Sequence, residues 1–335
     1  LGIEREKSQL GSSLQTVNSE DLTQTKAQNL VNQLQGKVSG VNITGAGTPG
    51  GTTNIVIRGA NSLAGNNQPL FVIDGIPVAS NTIRGGSFGN GYDLGNAIND
   101  LNPDDIENLS ILKGPNAAAL YGSRAANGVV MITTKKGANS QGRMRTEFNS
   151  FLTFDTPSVL PEWQNQYGQG AGGSFQYLNG AGAGDCDGCD QSWGPKLDGR
   201  LVDQFTGKQQ PWVAQPNNVN DFFETGRTLS STLAVSGGSD RANARLSLGT
   251  DQIKGFVPNN RFQKVSSLLA GNLQVNPRLS TTATLQYIRN NGLNRPGTGY
   301  ANSILEQFFW FGRQVDINAL RNYRQGGAAN GGAQS

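Results

Sequence analysis

Histidine is absent from the chain of 335 residues, and only two cysteines occur, Cys186 and Cys189. Without histidine there is no Ser-His-Asp or Cys-His arrangement, no HExxH zinc site and no imidazole acid–base chemistry. Long apolar runs are missing as well. Nothing approaches the roughly 18 consecutive apolar residues of a membrane-crossing helix. That excludes a helical membrane protein but not a β-barrel, whose strands carry only short alternating patterns. Charge is sparse, with charged residues at 15% and a net charge of +3. Such a balance gives no reason to expect nucleic acid as a partner. The only methionines are Met131 and Met144, and residue 1 is Leu, so further sequence upstream is expected. No signal peptide is visible. Asp and Glu are scattered over two unlike regions and form no paired-carboxylate site, so no enzyme is expected.

What is abundant is glycine, 46 residues against 13 prolines. It shows no G-X-Y period, which points to turns and loops. Residues 1–14 are polar and aperiodic and read as an extended entry segment. Leu30, Val31 and Leu34 make a short amphipathic stripe that predicts a helix over residues 25–35, ended by Gly36. Residues 41–44 and 54–58 read as short strands across a turn-rich stretch. Residues 70–74 (LFVID) are almost continuously apolar, as in a strand covered on both faces. Asn102 suits an N-cap, Pro103 the first helical position, and Asp104 and Asp105 the positive end of a helical turn. That turn feeds a strand over residues 108–113. A small helix over 116–121 and a buried strand over 129–134 (VVMITT) follow. Residues 15–140 thus form an α/β unit large enough to bury its own core.

Beyond Lys136 the texture changes to a period of two. Phe148, Leu152 and Phe154 alternate with polar residues. Ala242, Ala244, Leu246 and Leu248 oppose Asn243, Arg245 and Ser247. Val265, Leu269, Leu273 and Val275 repeat the pattern, although Leu268 interrupts the polar face. Ala283, Leu285 and Tyr287 oppose Thr282, Thr284 and Gln286, and Leu229, Leu233 and Val235 form a weaker member. A soluble sandwich and a membrane barrel both produce such strands. The connections favour the barrel: 237–241 and 275–279 are short, whereas 155–227, 249–261 and everything after residue 290 are long. Outer-membrane barrels alternate short periplasmic turns with long outer loops. About five strands cannot close a barrel, and an open edge is not tolerated in lipid. Residues 141–335 therefore read as part of a larger barrel.

Three segments resemble the plug signature of TonB-dependent transporters: IVIRG at residues 55–59, PLFVIDGIPV at 69–78, and NPDDIENLSILKGPNAAALYGSRAANGVVMITTKKG at 102–137. PLFVIDG with YGSRAANGVVMITTKKG is similar to the SusC/RagA branch of Bacteroidota. The start, LGIEREKSQLGSSLQTV, resembles the segment just after that branch's TonB box, and FNSFLTFDTPSVLPEWQNQYGQG and SWGPKLDG resemble its first strand and outer loop. The resemblance implies an α+β plug followed by antiparallel transmembrane strands, in a 22-stranded barrel with the plug in its lumen. It implies residence in the outer membrane of a Gram-negative bacterium, in contact with its lipid. The implied activity is import of a bulky glycan or peptide, energised through TonB with ExbB/ExbD under a SusD-type lipoprotein lid. Siderophore or cobalamin uptake is the alternative within the family, and a surface adhesin the alternative outside it. The TonB box and any upstream extension would precede Leu1. In this setting Arg58, Lys113 and Arg124 are candidates to pair with carboxylates on the barrel lumen; an internal plug contact is an equal alternative for Arg58.

Two smaller signals remain. Cys186 and Cys189 form a CxxC in the long outer loop, where a local disulfide is favoured over a redox pair or half a zinc site. Asp185, Asp187 and Asp190 surround it. They offer oxygen ligands for calcium without the EF-hand spacing, and no other cofactor is expected. Phe308, Phe309, Trp310 and Phe311 form an aromatic cluster on the outer side. Burial against the barrel rim is favoured there over sugar stacking or contact with a lid protein.

Overall fold

The computed structural model describes residues 13–23, 30–45, 47–62, 67–78, 84–85, 90–114, 119, 121–137, 139–175, 191–203, 208–299 and 303–320. In chain order the strands are β1 (Ser13–Asn18), β2 (Val41–Thr44), β3 (Asn54–Ile57), β4 (Leu70–Ile73), β5 (Ile76–Val78), β6 (Arg84–Gly85), β7 (Asn90–Asp93), β8 (Ile106–Lys113) and β9 (Val129–Thr134). Then come β10 (Met144–Asp155), β11 (Leu201–Asp203), β12 (Gln209–Pro211), β13 (Gly226–Gly238), β14 (Ala242–Lys254), β15 (Arg261–Asn276), β16 (Leu279–Leu293) and β17 (Gly297–Gly299). Short helices accompany them, among them α1 (Ser19–Thr23), α2 (Asn218–Phe222), α3 (Ile304–Trp310) and α4 (Ile317–Leu320). Among the described residues no helix is long and apolar enough to cross a membrane, which says nothing of crossing by strands.

The N-terminal unit is built on a five-stranded sheet of order β1-β8-β9-β4-β5. Only the β4–β9 pair is parallel, and both strands read as continuous apolar runs because each is covered on both faces. One side of this sheet packs Phe71, Leu109, Ile111 and Ile132 against Leu22, Leu30, Val31, Leu34 and Ile55. Asn102 caps the next turn as its sequence predicts: its Oδ1 accepts a hydrogen bond from the Asp104 amide at 3.1 Å, with Pro103 at the first position of a 3-10 turn, Pro103–Asp105.

Two expectations change here, and a third is described only in part. Residues 24–29 lie outside the described residues, and only Asn32–Leu34 of the predicted helix is helical, as a 3-10 turn. Its buried Leu30, Val31 and Leu34 stripe and the left-handed Gly36 (φ +77°) agree with the sequence pattern. Of the predicted helix over 116–121 only residues 119 and 121 are described, and both are helical; a 3-10 turn, Ser123–Ala125, follows, entered through Gly122 at φ +73°. The entry segment ends sooner than residue 14, because Ser13 and Leu14 already pair with Lys113 and Leu112 in the plug sheet.

The second unit is one antiparallel sheet of order β10-β13-β14-β15-β16, each strand bonded to the next. Its two faces are inverted relative to a soluble protein. On β14, Leu246 and Leu248 are 42% and 50% exposed, while Arg245 and Ser247 between them are 3% and 0% exposed. Leu229 and Leu233 on β13 and Val265, Leu269 and Leu273 on β15 line the same exposed apolar face. The polar face is buried because it covers the first unit. Leu268, which interrupts the polar pattern of β15, lies on that inner face and is buried. The strands are longer than their sequence pattern. β14 continues to Lys254, so the expected long connection 249–261 shrinks to residues 255–260. The backbone ladder continues there although the outward side chains turn polar (Thr250, Gln252). The connection 156–225 remains long, and those between β13 and β14 and between β15 and β16 are short.

If the exposed face of this sheet meets hydrocarbon, Leu248→Arg in the full-length protein costs roughly 2–4 kcal/mol near the bilayer midplane. On a water-facing sheet the same change stays within about 0.5 kcal/mol. Urea titration of the protein folded into lipid vesicles reads the difference.

Candidate functional site: the polar seam between plug and strands

The plug meets the sheet through hydrogen bonds and ion pairs concentrated on residues 93–105. Asn102, already fixed by its cap, donates through Nδ2 to Thr232 Oγ1 on β13 at 3.1 Å. Arg245 on β14 reaches Asp105 through Nη2 at 3.4 Å and Glu147 on β10 through Nη1 at 3.4 Å. Its side chain is 4% exposed and that of Asp105 is 9% exposed. Burial raises the Asp105 carboxyl above its ordinary range, and the Ser247 hydroxyl and then Arg245 oppose that rise. Burial likewise lowers the Lys135 ammonium, helped by Arg245 and opposed by Glu147, Asp104 and Asp105.

A second node lies one strand further on. Lys264 on β15 pairs with Asp251 of β14 at 2.9 Å and donates to the Asn99 and Leu101 carbonyls of the plug at 3.3 and 3.4 Å. Asn290 on β16 donates to Asp100 Oδ1 at 2.6 Å. Beyond β16, Arg295 donates to the Asp93 carbonyl at 2.8 Å and lies 5.2 Å from the centre of the Phe262 ring. The next residues form β17, which pairs with β7 and so adds a strand to the plug side. Asp93 in turn accepts from the amide and hydroxyl of Thr52 at 2.8 and 2.7 Å.

Two glycines allow this close approach. A Cβ on Gly249 would lie 2.5 Å from Asn102 Nδ2 and 2.6 Å from Ser266 Oγ. At Gly50 (φ +68°) it would lie 2.5 Å from the Phe262 ring. Beside Gly50 the seam opens into a cavity of about 370 Å³, bordered by Thr48, Asn99, Asp155, Asp251, Phe256 and Phe262.

The sequence candidates fall elsewhere. Lys113 is bound inside the plug: its Nζ donates to Gln15 Oε1 at 2.8 Å and to the Ser39 carbonyl at 2.6 Å. Burial, and then the nearby Arg58 charge, lower its pKa. Arg58 is exposed with φ +60°, and its amide donates to the Gly40 carbonyl at 2.8 Å. Arg124 is exposed in its 3-10 turn. The five strands present engage the plug through Thr232, Arg245, Lys264 and Asn290 instead. Arg245 was legible as the charged member of the polar face of β14; its plug partner was not, because pairing across two units leaves no spacing in the sequence. Cys186, Cys189, Asp185, Asp187 and Asp190 lie outside the described residues.

The aromatic cluster divides. Phe308 is buried with Val219 and Ile317, and Phe311 packs on it at a ring distance of 5.5 Å. Phe309 and Trp310 face outward, with Phe309 leaning on Trp163 at 4.8 Å. Residues 303–320 thereby join the long connection after β10 into a second small core, tied by Arg313 to the Gln164 carbonyl and Asn165 Oδ1 at 2.9 and 3.0 Å.

Removing the Arg245 charge leaves Asp105 buried without its cation, so Arg245→Met is expected to destabilise the folded protein by roughly 3 kcal/mol. The pH dependence has a definite sign. A carboxyl whose folded pKa is raised contributes stability that is complete below its unfolded pKa and is lost as pH rises through the folded value. Arg245→Met raises the Asp105 pKa further, so the loss begins at the same pH but continues to higher pH and is larger. Urea titrations across the acidic to neutral range check both.

Residues 6–129 match the TonB-dependent Receptor Plug Domain. The TonB-dependent receptor SusC of Bacteroides thetaiotaomicron is 32% identical over 263 residues, which cover 78% of this chain and 23% of SusC. The ferric enterobactin receptor PirA of Pseudomonas aeruginosa is 34% identical over 140 residues, covering 41% of this chain and 18% of that receptor. Among solved structures, the RagAB peptide importer in its open-open state superposes with a TM-score of 0.64 at 24% identity, over 90% of this chain and 33% of that one. This chain therefore spans about a quarter of the length of SusC. A plug match, an alignment to SusC too long to be confined to the plug, and a shared fold lead to one assignment: the chain belongs to the TonB-dependent receptor family and contains its plug domain with five antiparallel strands that follow.

Proposed function

We propose that the whole protein is an outer-membrane active transporter that imports a bulky nutrient, an oligosaccharide or a peptide. The observation that carries this reading is the inverted sheet, whose apolar face is exposed while its polar face is buried on the plug. A plug held by polar contacts can be moved without separating a dry apolar interface. The energy would come from the inner-membrane proton gradient through TonB with ExbB/ExbD. A SusD-type lipoprotein would cover the outer mouth, and the exposed Phe309 and Trp310 offer aromatic faces to a lid or to sugar rings. No chemical step is required of the chain.

A glycan or peptide is favoured over a siderophore because the SusC alignment covers 78% of this chain and the PirA alignment 41%. The seam cavity beside Gly50 lies where plug and wall would both touch a ligand. Deletion of the gene in its host is expected to abolish growth on one glycan or peptide source while growth on its monomers continues. Restoring the gene without its TonB-binding segment should not rescue growth. Rescue by that truncated gene, or fractionation of the full-length protein with soluble periplasmic proteins, would overturn the proposal.

A further inference from the structure

Two cations at the seam, Arg245 and Lys264, each have two kinds of partner. Arg245 faces Asp105 on the plug and Glu147 on the neighbouring wall, both at 3.4 Å. Lys264 faces plug carbonyls at 3.3 and 3.4 Å and the wall carboxylate Asp251 at 2.9 Å. The arrangement is repeated on two different strands with different side chains. Glu147 is not committed to Arg245 alone; its other oxygen lies 3.2 Å from the exposed Arg145. On the plug side the backbone amide of Lys135 donates to the Asp105 carbonyl at 2.7 Å.

Separating a buried ion pair ordinarily strands an uncompensated charge on each side. Here the wall cations are not stranded. When the plug withdraws, Arg245 retains Glu147 and Lys264 retains Asp251. We propose that Glu147 and Asp251 are standby counter-ions, positioning residues that compete with the plug for Arg245 and Lys264 and so set how readily the plug leaves the wall. This rests on the reading of the plug as a movable part, and it assigns the release threshold to two wall carboxylates and not to the plug.

The competition makes a prediction about direction. A carboxylate that merely supports a buried arginine loosens the seam when it is neutralised. A standby counter-ion tightens it, because the cation then depends on the plug alone. The full-length protein in lipid vesicles, with every native cysteine replaced by serine, Cys186 and Cys189 included, carries a reporter at Ser266→Cys. Ser266 is buried in the seam close to Asn102. Its labelling by a water-soluble maleimide, without substrate or TonB, reads spontaneous opening.

Glu147→Gln is expected to slow labelling about threefold, and Asp251→Asn to do the same independently. In an Arg245→Met background the Glu147→Gln effect should vanish while that of Asp251→Asn persists. Faster labelling in both single variants, or an unchanged rate in both, would overturn the proposal. Because no transport is measured, an opposite result here leaves the import reading standing. Conversely, unimpaired growth of the deletion strain together with the expected labelling order would count against the import reading alone.

Discussion

A sheet that hides arginine, lysine, serine and threonine while exposing leucine and valine has to have something polar on its inside and something apolar outside. That constraint organises the rest of the molecule. The inner face is covered by a separately cored α/β unit, and the contacts between the two are hydrogen bonds and ion pairs gathered on residues 93–105. Strand length, strand order and the side chosen for long and short connections follow from the same inversion. A soluble sandwich with these strands would bury Leu246 and Leu248 and expose Arg245.

The plug has its own apolar core, separate from that seam. Its central strands β4 and β9 are parallel and fully covered, and its apolar cluster from Val17 to Ile132 closes without a residue from the second sheet. Interior packing of this kind resists small displacements, whereas a polar seam can exchange partners. The two therefore differ in the way a movable stopper requires: rigid within, releasable at its boundary. Gly249 and Gly50 mark two close approaches along the boundary, since a methyl group at either would overlap the facing side chain.

Much of this was legible in the residues. Alternation in 242–248 and 265–275 placed the exposed face, and the run 102–105 announced its cap and turn. The break at Leu268 was misleading only until the fold was in view, because Leu268 lies on the inner face of the sheet and is buried there. The extension of β14 to Lys254 was not legible, since backbone pairing continues after the side-chain pattern fades. Nor were the seam partners. Lys113 and Arg58 carry the charges a plug–wall contact would need, yet Lys113 is satisfied within the plug by Gln15 and Ser39, whereas Arg245 and Lys264 grip the plug from the wall. A charged residue in a signature segment does not reveal which neighbour neutralises it.

The central claim is one of orientation, and depth-dependent quenching tests it most directly. A single fluorescent label is placed at Leu248 or at Ser247 of the full-length protein in vesicles containing a lipid-borne quencher. Strong quenching at position 248 with little at the adjacent position 247 is the predicted result. Equal quenching at both, or quenching of position 248 only by a water-soluble agent, would contradict it.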